Sequence, residues 1–107
     1  MEYRGKLKDI HNDRLFEAIL SLRDIDECYK FFEDICTVSE LRSLAQRLEV
    51  AKMLEANRTY GEIAGKTGAS TATISRVKRC LNYGADGYKL VLNRLPDPSP
   101  LQTEQKE

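Results

Sequence analysis

What the chain lacks removes most classes of function. It has no apolar run long enough to cross a bilayer and no basic-then-apolar leader, so it reads as a cytoplasmic protein with no membrane partner. Histidine occurs once, as His11, and cysteine three times, which leaves too few ligands at useful spacing for a metal site. Cys28 and Cys36 fall in one helical stretch, about 12 Å apart along its axis at 1.5 Å per residue, too far for a local disulfide. Cys80 is distant in sequence, and all three read as small buried hydrophobes, with His11 a polar residue near a helix start. Proline is confined to Pro96, Pro98 and Pro100, where it ends regular structure and leaves residues 96–107 as a polar, disordered tail. There is no strand alternation and no internal repeat. No nucleophile with its base, carboxylate pair in helical register or phosphate-cradling glycine loop is present, so an enzyme is not expected.

A net formal charge of zero is a further absence, and it is misleading. Residues 1–40 hold six Lys/Arg against ten Asp/Glu, residues 41–95 hold ten against four, and residues 96–107 hold one against three. The middle of the chain is therefore a basic segment between acidic flanks. That is the electrostatic footprint of a protein that meets a polyanion, with the flanks keeping affinity modest and salt-dependent.

What is present is helical. The length suits one domain, with residues 1–11 an arm and 12–95 a single helical body. Asn12 and Asp13 suit the start of a helix carrying Leu15, Phe16, Ile19, Leu20 and Leu22. Asp24 and Glu27 start a second, apolar on more than one face through Cys28, Tyr29, Phe31, Phe32, Ile35 and Cys36, so it asks for two partners, one of them a second subunit. Thr37 with Glu40 is a capping-box spacing ahead of the longest helix, about Ser39 to Ala56. Its stripe of Leu41, Leu44, Ala45, Leu48, Ala51 and Leu54 forms a seam for packing and dimer formation. A last short helix spans Asp86 to Leu95.

The informative stretch is Thr59 to Leu81. Thr59 with Glu62 is a second capping-box spacing, Gly68 supplies a left-handed stop, and Ser70 can cap the next helix. Ile63 and Ala64 before the turn, Ala69 in it, and Ile74 and Val77 after it give each short helix an inward face. This spacing predicts a helix-turn-helix, whose second helix presents its N-terminal residues to base edges in a major groove. Its outward side carries Thr71, Ala72, Thr73, Ser75, Arg76, Lys78 and Arg79, with no acidic residue from Lys66 to Tyr83. Hydroxyls can bond bases or phosphates, a methyl can meet thymine, and the cations suit phosphates. The bland alternative is a helical hairpin with a solvated basic face; for Arg76 alone, the alternative to a phosphate contact is pairing with an acid or a helix carboxyl end.

Gly68-Ala69 followed by Ala72-Thr73-Ile74-Ser75-Arg76 resembles the reader of the bacterial tryptophan repressors, and Phe16 to Leu95 resembles the YerC/YecD group of TrpR-like proteins. The segment from Leu22-Arg23-Asp24 through Glu40-Leu41-Arg42 is similar to that group more than to the repressor itself. The resemblance implies an all-α, Trp-repressor-like fold, an intertwined homodimer on double-stranded DNA, and transcriptional repression. Such repressors hold tryptophan between two arginines. Arg76 matches the one in the reader, and the other falls at Gln46 without a gap or at Arg47 with one. Where the repressor has glycine after the reader arginine, this chain has Val77, which fills space a ligand would use. The expectation is a sequence-specific regulator without cofactor or metal and independent of tryptophan. Ser70, Thr71, Ala72, Thr73, Ser75, Arg76, Lys78 and Arg79 meet DNA, and Gly68 sets the turn. The alternative is an effector-sensing or protein-interaction module that uses Gln46, Arg47, Arg76 and Val77.

Overall fold

In the computed structural model, which describes residues 2–96, the chain is all-α. Its six helices are α1 (Ile10–Leu20), α2 (Ile25–Ile35), α3 (Val38–Glu55), α4 (Tyr60–Thr67), α5 (Thr71–Tyr83) and α6 (Gly87–Arg94). The expected polar tail lies, from residue 97 onward, outside the described residues. The contacts divide the chain into two units that meet inside α3, at Leu41 and Arg42.

In the first unit, side chains write the helix boundaries. Asp9, not Asn12 or Asp13, caps α1, its carboxylate accepting from the amides of His11 and Asn12 at 2.9 and 3.3 Å. The helix therefore starts two residues before the expected point. Asn12 and Asp13 are used backwards instead: the Asn12 amide group donates to the Leu7 carbonyl and Lys8 pairs with Asp13 at 2.9 Å. Asp24 caps α2 by accepting from the Glu27 amide, and Glu27 accepts from the Arg23 amide. Thr37 and Glu40 exchange the reciprocal bonds of a capping box at 2.8 and 3.0 Å. No residue from 2 to 41 is buried, and Phe16, Leu20, Ile25 and Tyr29 are each more than half exposed.

The second unit holds the core. Val50, Ala51, Met53, Ile63, Ala69, Ile74, Val77 and Leu81 are buried together, with Leu54, Tyr60, Ala64, Tyr88 and Leu92 packed around them. The expected α3 stripe is thus split: Ala51 and Leu54 face this core beside Val50 and Met53, whereas Leu44 and Leu48 stay exposed. At the end of α3, Asn57 takes a left-handed φ of 62°, the Arg58 amide donates to the Met53 carbonyl, and the Asn57 amide donates to Leu54. That paired arrangement satisfies the last carbonyls and turns the chain sharply into α4.

The cysteine expectation is corrected. Cys28 and Cys80 are exposed and Cys36 half-buried, all as free thiols. Cys80 sits between the inward residues Val77 and Leu81 on α5 but faces outward at the helical period, and Cys28 lies in the stretch from 2 to 41, where no residue is buried. Among the described residues no helix is long and apolar enough to cross a membrane, and no three His, Cys, Asp or Glu side chains cluster as metal ligands.

Candidate nucleic-acid interface

The reader is built from two capped helices and a left-handed turn. The Thr59 hydroxyl accepts from the Glu62 amide at 3.1 Å while the Glu62 carboxylate accepts from the Thr59 amide at 2.9 Å. That backbone bond, aided by the Thr59 hydroxyl and by Arg58 at 3.8 Å, holds the Glu62 carboxyl below its usual range. Gly68 closes α4 at φ 75°, its amide donating to the Ala64 carbonyl. Ser70 then caps α5 by accepting from the Thr73 amide at 3.1 Å.

Ile74, Val77 and Leu81 recur at three- and four-residue steps, so one side of α5 faces the core and the other must face out. Burial follows that rule. Ile74 and Val77 are 0% and 1% exposed, against exposed Thr71, Ala72, Ser75, Arg76, Lys78 and Arg79. Ser70 is exposed and Thr73 half-buried, their hydroxyls 3.1 Å apart, so both serve the cap as well as the surface. Among the described residues Arg76 and Arg79 make no ion pair, so the alternative partner for Arg76 is not seen there. Lys78 is held differently: its ammonium lies 5.8 Å from the centre of the Tyr60 ring, on the first residue of α4. Tyr60 was not among the expected site residues; its signal was an aromatic at the first position of a helix that crosses a basic one.

The chemistry this surface offers is that of a phosphate and base-edge contact. Cations without acidic partners among the described residues, short hydroxyl side chains and one methyl stand at and beyond an exposed helix N-terminus, where the peptide dipoles also favour anions. Nothing there pairs a nucleophile with a base.

The residues expected around an effector are not gathered in one place. Gln46, half-buried on α3, lines a groove of about 630 Å³ with Arg42, Ala45, Glu49, Lys66 and Thr67. Arg47 is half-buried, Arg76 is exposed on the reader and Val77 is sealed in the core, and none of the three lines that groove. Gln46 also has a partner that sequence reading missed, the carbonyl of Thr67, to which its amide group donates at 3.1 Å.

Comparison with known proteins bears on the family and the fold. The model of the family described as Trp repressor protein matches residues 11–96. The chain is 60% identical over 92 residues to the uncharacterized protein YerC of Bacillus subtilis (strain 168), covering 86% of this chain and 88% of that one. A TrpR like protein from Eubacterium eligens ATCC 27750 superposes with a TM-score of 0.79 at 62% identity, over 86% of this chain and 98% of the other. A candidate Trp repressor from Staphylococcus aureus gives 0.80 at 55% identity, over 83% and 89%. With the helical order, the turn at Gly68 and these matches together, the chain belongs to the Trp repressor protein family.

Proposed function

We propose that the protein is a sequence-specific, DNA-binding transcriptional regulator, a repressor that works in the cytoplasm as a helix-turn-helix homodimer and carries out no catalysis. The observation that carries this reading is the two-faced α5, with Ile74, Val77 and Leu81 inside and an acid-free run of hydroxyls and cations outside. Family membership supports it, because the matched family is that of a repressor. Thr71, Ala72, Thr73 and Ser75 meet base edges, with Ser70 at the cap; Arg76, Lys78 and Arg79 meet phosphates. Two readers related by a two-fold axis and spaced one helical turn apart, about 34 Å, would ask for a roughly palindromic operator.

The reader is held in its docking posture without tryptophan. Val77 fills the place where the repressor has glycine and is 1% exposed among Ile63, Ile74 and Leu81, so the two helices brace each other through protein atoms alone. The test is capture of bound DNA across the genome, followed by titration of the best site at two salt concentrations with and without tryptophan. Affinity should fall steeply with salt and ignore tryptophan; binding that requires tryptophan, or no preferred site, would sink the reading. A second reading, an effector-sensing or protein-interaction module, draws on the groove beside Gln46 with its mixed lining of Arg42, Glu49 and Lys66.

A further inference from the structure

Every hydrogen bond and ion pair among the described residues joins positions no more than five apart, with one exception. The exception is Gln46 to Thr67, 21 positions apart. Elsewhere among the described residues, α3 meets α4 and α5 through apolar side chains, and apolar contact is non-directional. It favours burial while permitting a helix to rock or slide by a fraction of a turn. A hydrogen bond weakens steeply with distance and angle, so the single directional contact between α3 and the reader lies at this point.

The position of the bond matters as much as its existence. Thr67 is the last residue of α4, and its carbonyl is one of the terminal acceptors for which the helix supplies no donor. Its hydroxyl donates back to the Ile63 carbonyl at 2.7 Å and accepts from the Ala69 amide at 3.1 Å. Ala69 is 4% exposed, and the next residue is Ser70, the cap of α5. A continuous polar path therefore runs from α3 through Gln46 and Thr67 to Ala69, the residue before the cap of α5, with the left-handed Gly68 between.

We propose that Gln46 is a positioning residue for the reader, its side-chain amide latching the end of α4 to α3 and so fixing the angle at which α5 is presented. The inference rests on the DNA-binding reading above and deepens it. Gln46 does not itself touch nucleic acid. Two substitutions remove the donor and keep the bulk, Gln46→Met and Gln46→Glu; the second has nearly the same shape but offers only acceptors at neutral pH.

Both variants are to be compared with wild type on a duplex that the wild-type protein has selected from a random pool, and on unselected duplex at the same salt. The latch predicts a loss of about tenfold on the selected duplex, the order of one directional hydrogen bond and the acceptor left behind. It also predicts little change on unselected duplex, where phosphate contacts suffice, so the ratio falls, while loss of the bond itself lowers the thermal midpoint by several degrees. Amide exchange at Gly68 and Ala69 should quicken more than that at Ile74 and Val77. An unaltered ratio in both variants, or unaltered exchange at the turn, would overturn the assignment. Should wild type select no duplex, the proposed function fails, while the exchange comparison still decides whether the latch exists.

Discussion

At position 68 the backbone takes a conformation that an L side chain resists, and everything after it in the reader depends on that one turn. Gly68 has φ 75°, and a Cβ built there would meet nothing within 4 Å. The cost of Gly68→Ala is therefore conformational and not steric, about 1 kcal/mol, measurable as a shift in the urea midpoint with an unchanged slope. Val77 works through volume. Val77→Ala removes two methyls' worth of fully buried surface and leaves a small cavity, so a loss of about 2 kcal/mol is expected in the same measurement. Calorimetry on the unaltered protein should show no micromolar binding of tryptophan. Glu62 adds a dependence on pH. Its carboxyl is held below its usual range chiefly by the Thr59 amide, so the ionised form is the one the fold favours. That contribution is present above the ordinary carboxylate pKa and is lost as pH falls through the lowered value. Glu62→Gln should thus be less stable than wild type at neutral pH, with the gap closing in acid, as thermal melts at several pH values would show.

Among the elements, α5 carries the test of function. Changing Lys78 and Arg79 together to Ala should weaken binding to all duplexes and flatten the dependence of log affinity on log salt by about two units at most, as expected for two phosphate contacts. Lys78 is steadied against the Tyr60 ring and Arg79 has no ion pair among the described residues, so the single changes should divide that effect unequally. An unchanged slope would mean that this side of α5 does not meet DNA. The reader was legible in the sequence because each of its parts is local: a capping box at Thr59 and Glu62, a glycine at 68, a serine cap at 70 and an apolar step at 74 and 77 all act within a few residues. Where a boundary depended on which of several polar residues wins, local rules chose wrongly. Asp9, Asn12 and Asp13 are all fit to cap α1, and the choice falls to Asp9 because Leu7 and Lys8 occupy the other two. The Gln46 to Thr67 bond was not legible for a different reason. A contact across 21 positions leaves no periodic trace in one chain, and an amide side chain on a long helix looks like any solvated one.

For the whole molecule, the question is which surfaces a chain of this length leaves uncovered. The second unit closes a core; in the first no residue from 2 to 41 is buried, and Phe16 is exposed at 53%, Leu20 at 82%, Ile25 at 66% and Tyr29 at 66%. The pattern of α2, apolar on two sides, asks for two partners, and none of its side chains is buried here; the division of α3 was not readable. Leu44 and Leu48 belong to the same periodic stripe as Ala51 and Leu54, and only tertiary packing decides that the latter pair joins the core. Large apolar side chains left in water gain nothing from folding, and several together mark a surface meant for another protein. With the family resemblance to a symmetric repressor, the partner we propose is a second copy of the chain, which would give each molecule two readers. Folding and association should then be coupled, so the thermal midpoint of the wild-type protein should rise with its concentration. Phe16→Asp and Tyr29→Asp would place charges within that apolar surface, and sedimentation should show either variant shifted to monomer with a lowered midpoint that no longer depends on concentration. DNA affinity should fall with it, because a lone reader loses the gain from tethering two half-sites. A monomeric wild-type protein at micromolar concentration, with a midpoint indifferent to dilution, would mean that the exposed surface of α1 and α2 serves some other partner.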